Sequence, residues 1–519
     1  MTAGGSAKDD WQVRCLAVRN DFGLFLASLE RLPVSQFVDD LLIRAFEECW
    51  LRPEQLVSAT AHYLTAKWPR ALRGIAAPNE PQLADVVRDP VLLAMLRMTP
   101  AATPGLDVLL ARVRFGVLHS FMTGGDVASF APTMAALAVR GWHSGYASTL
   151  PLSGRHDADR AVEVQMVGDL GRQLEASQRS SDAALALVIY AAFAQPSEVH
   201  LPDALASGDP LAAMIAREVV APSRRQRAIA RDLVSVTPMD TSSALVAGQY
   251  EVHPYPAWVG EPSDNVELPP AVLAALGSGG VEAIKSVLVA GCGTGQHALA
   301  AACAWPNADV LAIDISRTSL AYAIDRAAEA HGGRIRFELA DLLQVEKLAC
   351  KFQVIETMGV LHHLDDPEAG LQALSRVLEP DGLIGIGLYS AAARTTLDTI
   401  RARYGPGDMR SDEAVRHFRA WALTELARSE LLYSPDFYSI GGVRDAFFHV
   451  RERCYSLPEI GAMIDAAGLR LIAIAQPPRA AEWLETIPAP DDLEGWAEAE
   501  RNYPDLFIGM YEIWAQLRG

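Results

Sequence analysis

Val287-Leu288-Val289-Ala290-Gly291-Cys292-Gly293-Thr294-Gly295-Gln296 is the stretch whose reading decides the fold. Four apolar residues in a row suit a strand buried on both faces. Glycines at 291, 293 and 295 then let the chain turn sharply and present backbone N–H groups at the start of a helix running from His297. A pyrophosphate-binding turn of the form G-x-G-x-x-G needs its third glycine at 296, where this chain has Gln296. A nicotinamide oxidoreductase is therefore the weaker reading of the loop, and no hydride-transfer constellation accompanies it.

Outward from the loop the chain alternates strand, turn and helix, the rhythm of a parallel sheet flanked by helices. Strands are expected at 286–290, 309–314, 335–339, 352–357 and 383–389. An insertion follows over about 391–457, then a helix at 459–467 and two further strands at 471–475 and 508–516. The fold class expected is α/β: a Rossmann-like, doubly wound, mostly parallel sheet preceded by a mainly α-helical N-terminal domain. In that N-terminal part, apolar residues recur at three- and four-residue spacing over 37–49 and 106–118, and Pro33, Pro53, Pro78, Pro90, Pro100, Pro104, Pro132, Pro202 and Pro222 divide it into helices of ordinary length. Prolines 254, 256, 262, 269 and 270 oppose continued helix and mark a linker. The expected organisation is a flexible terminus at 1–10, a helical domain at 11–245 for substrate recognition or oligomerisation, a proline-rich linker or lid at 246–282, and the α/β domain at 283–519.

Bulk properties narrow the function classes. The chain has 519 residues, half of them apolar, and a formal net charge of -19. Such a balance opposes attraction to phosphate backbones, so no nucleic-acid partner is expected. The densest basic stretch, Arg224-Arg225-Gln226-Arg227 with Arg231, reads as a solvated helix face, with a substrate-facing role as the alternative. Six scattered cysteines lack the spacing of a zinc site, so no metal is expected and the thiols read as reduced. Nothing at the N-terminus resembles a secretory signal, and apolar stretches such as 183–193 fall short of the roughly 20 residues needed to cross a bilayer. A cytoplasmic protein with no membrane partner is the expectation.

Two acids take up positions matching the glycine loop. Asp314 closes the second strand, where its carboxylate is placed to accept ribose hydroxyls or, alternatively, to cap the helix starting near Ser316. Asp341 closes the third, where it and the N–H of Leu342 are placed to read an adenine edge; a turn former is the alternative. The fourth strand leads into Glu356-Thr357-Met358-Gly359-Val360-Leu361-His362-His363-Leu364, the expected crevice floor.

With these positions in order, residues 285–390 resemble a class I S-adenosylmethionine-dependent methyltransferase. The resemblance implies S-adenosyl-L-methionine as cofactor, its methionine part on Gly291, Cys292, Gly293, Gly295 and Gln296, its ribose on Asp314 beside Ile315, its adenine on Asp341 and Leu342, with Met358 and Tyr255 also lining the site. One departure is Val289, where many members carry an acid. A narrower resemblance rests on Asp89-Pro90-Val91-Leu92-Leu93-Ala94-Met95-Leu96, Gln249-Tyr250-Glu251, His253-Pro254-Tyr255-Pro256-Ala257-Trp258 and Phe447-Phe448-His449-Val450. These stretches are similar to a bacterial group of large methyltransferases with a helical N-terminal region and an N-P-Y-P-R-W motif, often beside tetratricopeptide repeats. Here His253 and Ala257 replace the Asn and Arg. The stiff X-Pro-X-Pro segment is expected either to lay Tyr255 and Trp258 over the cofactor or simply to pack.

Methyl transfer needs alignment and, for a neutral acceptor, a base. His362 and His363 are the base candidates or else loop braces, and the insertion offers Tyr404, Tyr433, Tyr438, Arg444 and His449, of which Tyr438 and His449 join the catalytic set. The expected function is methylation of a peptide, protein or specialised metabolite. The alternative is a catalytically silent cofactor-binding or regulatory protein, for which Val289 is the support. A homodimer built through the helical half is a further expectation.

Overall fold

The computed structural model describes residues 33–69, 85–144, 157–176, 181–193, 199, 209–240, 243–260, 268–330, 334–405, 407, 411–426 and 429–518. The expected flexible terminus at 1–10, together with Cys15, Pro78 and Pro202, lies outside them. The chain divides into two compact units that interleave in sequence. One comprises Met1–Arg224, Ala257–Pro262 and Asp408–Val443; the other comprises Arg225–Pro256, Ser263–Gly407 and Arg444–Gly519.

The first unit is helical where described. Its helices begin where proline is tolerated, because the first-turn N–H that proline lacks has no intrahelical acceptor anyway. Pro53, Pro90, Pro104 and Pro210 all occupy that position. The expected helix at 37–49 is Gln36–Glu47, burying Val38, Leu41, Leu42, Ala45 and Phe46 along one face. That at 106–118 extends to Pro104–Met122, and buries Asp107 and Arg114 among its leucines and valines.

The second unit holds a seven-stranded sheet in the order β3-β2-β1-β4-β5-β7-β6. Its strands are β1 Ser286–Ala290, β2 Asp309–Asp314, β3 Ile335–Leu339, β4 Phe352–Met358, β5 Leu378–Leu388, β6 Leu469–Ile474 and β7 Tyr511–Leu517. Strands β1 to β5 pair in parallel, while β7 runs antiparallel between β5 and β6. Alternate residues serve opposite faces: Leu288, Leu311, Ile355 and Ile384 enter one core, and Val287, Val310, Val354 and Leu383 the other. Two covered faces explain why the strands read as unbroken apolar runs. The first three strands have the expected bounds. The last begins at Tyr511 rather than 508, since Ile508 is exposed and 508–510 precede the ladder.

The edge of the sheet explains why 225–256 joins the α/β unit and not the helices before it. Val236 N donates to Leu339 O of β3 at 2.9 Å, so this segment covers an edge that would otherwise stand open. Arg225 Nε and Gln226 Nε2 hold the two oxygens of Asp325 at 2.6 and 2.9 Å. The basic stretch expected to be a solvated face is thus solvated at Arg224 and Arg227 and anchored at Arg225 and Gln226. Among the described residues no helix is long and apolar enough to cross a membrane.

Candidate active site

Strand order reverses between β1 and β4, opening a crevice at the carboxyl ends of the parallel strands. The glycine loop lies there. Gly291, Gly293 and Gly295 have φ of +76°, +52° and +86°, the left-handed region that side chains disfavour. Space forbids them as well: a Cβ at 291 would meet Val360 at 2.5 Å, one at 293 the carbonyl oxygen of Tyr255 at 2.8 Å, and one at 295 the Cβ of Ala323 at 2.7 Å. The helix Gln296–Ala304 follows directly, and the N–H groups of its first turn have no acceptors within the helix.

Asp314 ties this loop to the end of β2. Its Oδ2 accepts from Gly293 N and its Oδ1 from Ser316 N, both at 2.8 Å. A carboxylate accepts about four hydrogen bonds, so these two do not exhaust it. Burial pushes the carboxyl upward, against the N–H groups of Ser316, Gly293 and Ile315. Asp341 is differently placed. Its Oδ1 takes Leu343 N at 2.9 Å, and its Oδ2 takes both Asp240 N at 2.9 Å and Ser243 Oγ at 3.1 Å. It is a buried brace for the segment along β3, with its acceptor capacity largely filled.

The acid absent at Val289 has a counterpart one strand away. Glu356 of β4 stands opposite Val289 in the ladder. Its buried carboxylate accepts from Trp305 Nε1 at 2.6 Å and pairs with His297 Nε2 at 2.6 Å. Val289 alone is therefore a poor sign of a silent site.

Three sequence stretches far apart in the chain meet in a second polar cluster. Gln249 Oε1 accepts from Val450 N at 3.1 Å, and the Tyr250 hydroxyl donates to Asp445 Oδ1 at 2.6 Å. His449 Nδ1 accepts from Arg451 N at 3.0 Å, which leaves its proton on Nε2, 3.1 Å from the Tyr250 oxygen. His363 has the complementary tautomer: Nδ1 lies 2.8 Å from Arg451 O and donates to it, so Nε2 keeps a lone pair. Burial depresses both rings, His449 to about 4 and His363 well below 6.5, so both are neutral near pH 7. His362 is fully buried, pushed down to about 3 by burial and the Arg394 charge, and neither of its ring nitrogens has a hydrogen-bond partner. It lies 4.2 Å from the Tyr389 ring, over which Arg394 stacks at 3.5 Å.

His363, Asp445 and His449 bring potential metal-ligating atoms within 4.8 Å of one another. The two imidazoles are stacked, 3.5 Å between centroids and tilted by 19°. Imidazole lone pairs lie in the ring plane, and planes so nearly parallel share no point at the roughly 2.0–2.1 Å of a metal–nitrogen bond. The two rings, as oriented, do not converge on one metal position.

The remaining expected residues divide between the units. Tyr255 and Pro256 lie along the glycine loop through their backbone, with Thr294 Oγ1 donating to Pro256 O at 2.7 Å. Trp258 belongs to the helical unit and is buried. Cys292 is buried and its thiol pushed up by burial and the nearby Asp314 charge, which keeps it protonated. Gln296 and Ile315 are half-buried beside the loop, Leu342 is in the core below it, and Met358 packs its methyl against Gly385. Tyr438, expected in the catalytic set, belongs to the helical unit: it is buried there and its hydroxyl donates to Leu432 O at 2.6 Å. Of the other insertion residues, Tyr433 is exposed in that unit and Arg444 is buried in the α/β unit. Tyr250, Asp445, Tyr389, Arg394 and Glu356 were not expected as site residues. The Gln249-Tyr250-Glu251 motif was the available signal for the first.

Residues 287–382 match the model of a methyltransferase domain family. The chain thus contains a class I S-adenosylmethionine-dependent methyltransferase domain, the class that its sheet order, glycine loop and Asp314 define. It is 30% identical over 239 residues to an uncharacterized protein of Synechococcus sp., covering 42% of this chain and 52% of that one. It is 33% identical over 117 residues to the 27-O-demethylrifamycin SV methyltransferase of Amycolatopsis mediterranei, covering 22% and 43%. The chain spans about half the length of the curated relatives it matches. Among solved structures, PKMT2 from Rickettsia typhi aligns at 15% identity and a TM-score of 0.36, over 48% of this chain and 54% of that one.

Proposed function

We propose that this chain transfers a methyl group from S-adenosylmethionine to a heteroatom of a specialised metabolite, peptide or protein. The observation that carries the reading is Asp314, whose carboxylate is fixed by Gly293 N and Ser316 N at the mouth of the crevice. That arrangement fits a ribose diol, and a loop in which no Cβ fits at 291, 293 or 295 allows a ligand to approach the backbone closely. Gly291 to Gln296 hold the methionine part in this reading, while Asp341 positions the adenine wall through the backbone. The cofactor, when bound, supplies a methyl carbon on a positively charged sulfur.

The chain's own residues then align the acceptor and receive its proton. The cofactor would supply its methyl carbon to the acceptor heteroatom, and the acceptor's proton would pass to His363 Nε2. The Nδ1–H to Arg451 O bond holds His363 in the tautomer this requires. A base with so low a pKa suffices, because an O–H or N–H becomes strongly acidic as its heteroatom is alkylated. Tyr250, oriented by Asp445 and His449, lies in the same cluster and supports the acceptor. The relative that acts on 27-O-demethylrifamycin SV favours a metabolite among the acceptor classes.

Calorimetric titration with S-adenosylmethionine, S-adenosylhomocysteine and NADH tests the cofactor assignment. Saturable binding of the first two is expected. Binding of NADH alone, or of none, overturns it.

A further inference from the structure

The helix Arg317–Ala330 starts where the turn Asp314–Ser316 leaves β2, and its first turn is capped from two sides. Ser316 Oγ accepts from Ser319 N at 3.1 Å, a local cap of the usual kind. The N–H groups of Arg317 and Thr318 are taken by a residue 66 and 67 positions away in the chain. Glu251 Oε1 accepts from Arg317 N at 2.6 Å, and Glu251 Oε2 accepts from Thr318 N at 3.2 Å and from Thr318 Oγ1 at 2.6 Å. A carboxylate suits that place, because first-turn N–H groups have no acceptor within the helix and the helix dipole is positive there.

Glu251 stands in the last turn of the helix Ala244–Val252, which is itself fixed at both ends. Ser243 Oγ anchors its start to Asp341, and Gln249 and Tyr250 tie its last turn to Val450 and Asp445. Glu251 is therefore held from behind and reaches forward to the β2 turn. Three successive N–H groups of that turn are shared between two carboxylates: Asp314 takes Ser316 N, and Glu251 takes Arg317 N and Thr318 N. The two acids feel each other, for burial pushes the Asp314 carboxyl upward and the Glu251 charge adds to that, against the N–H groups of Ser316, Gly293 and Ile315. Without Glu251, Arg317 N and Thr318 N lose their acceptor and the turn is tied down by Asp314 and Ser316 alone.

We propose that Glu251 is a positioning residue for the cofactor: by gripping Arg317 and Thr318 it fixes the turn from which Asp314 meets the ribose. The inference rests on the reading of Asp314 as the ribose acid. Affinity of the full chain for S-adenosylhomocysteine, measured by calorimetry, tests it through a double-mutant cycle. Glu251→Ala should weaken binding about 5-fold, the effect of losing one helix cap. Added to Asp314→Ala, it should deepen that variant's loss by less than about 2-fold, because a residue that acts only through Asp314 then has nothing to position. Glu251→Gln keeps an oxygen that accepts from the turn and should bind within about 2-fold of the unsubstituted chain. Asp492→Ala, which uncaps the helix Leu493–Asn502 of the same unit, should leave affinity unchanged, and so separates loss of position from loss of stability. If Glu251→Ala does not fold, Thr318→Val, which removes the hydroxyl that Glu251 grips, replaces it in the cycle. The inference is overturned, with Asp314 still the ribose acid, by unchanged affinity in Glu251→Ala, by a full further loss in the double variant, by a glutamine variant as weak as the alanine one, or by an equal loss in Asp492→Ala. If the unsubstituted chain binds neither S-adenosylhomocysteine nor S-adenosylmethionine, the reading of the site fails and this inference falls with it.

Discussion

The two units solve the problem of buried polarity in opposite ways. The helical unit buries guanidiniums, which stay charged, and sets carboxylates against them. The α/β unit buries three imidazoles, and burial strips their protons, so that the cluster is neutral and its nitrogens act as donors and acceptors. A permanent charge must be met by a counter-charge, whereas a titratable one avoids the cost by changing state.

Breaking the first arrangement should have the larger effect. Asp107→Ala removes the shared partner of Arg140 and Arg419 and leaves both charges in the core. A loss of about 3–5 kcal/mol is expected, read by urea denaturation, because stranding one side of a buried pair costs far more than the pair contributes. A loss below about 1 kcal/mol would mean that the guanidiniums find other compensation.

The contrast sharpens with pH. His449 has a folded pKa of about 4 against an ordinary 6.5. Between those values the unfolded chain takes up a proton that the folded chain does not, so stability is full above about 6.5 and declines as pH falls towards 4. The loss from this residue is on the order of 3 kcal/mol. Asp107, held below the ordinary carboxylate value, loses its contribution only at lower pH, below about 3.8. Hydrogen exchange of peptides spanning 440–448 should therefore accelerate from pH 6.5 to 4.5, relative to the intrinsic rate, by more than that of peptides spanning 104–122. Equal acceleration would show that the histidines are not protected as neutral groups.

The same contrast governs what was legible in the sequence. Strands β1 and β2 were readable to the residue because both faces of the sheet are covered there and the apolar run stops at Gly291 and at Asp314. Asp314 was readable for the same reason. The Tyr250–Asp445–His449 chain was not, although every residue stood in plain view, because its members are 195 and 199 positions apart and meet only once the segment preceding the sheet packs beside it. Tyr438 illustrates the converse. A tyrosine in the insertion looks like a site residue until its segment is found in the other unit. Arg419 gave no signal at all, since an arginine in an amphipathic helix reads as surface. Local signals thus reached the elements and the loop, while burial of charge depends on contacts far along the chain.

Asp314 and Asp341 show the finest form of the comparison, for sequence gives them equivalent places at the ends of adjacent strands. Asp314 is held by N–H groups of the glycine loop and of the turn that follows β2. Asp341 accepts three hydrogen bonds from within the unit. Asp314→Ala should weaken S-adenosylmethionine binding by about 10-fold or more, matching the loss of roughly 1.5 kcal/mol of charged hydrogen bonding, beside the stability lost as Gly293 N and Ser316 N lose their acceptor. Asp341→Ala should change affinity less, costing about 0.5–2 kcal/mol of stability because it uncaps Leu343 and releases Asp240 and Ser243. Calorimetry and thermal unfolding of both variants separate the two roles. If the effects come out exchanged, the carboxylate that meets the cofactor is the one at β3, and the hydrogen bonds it makes within the unit yield to the ligand.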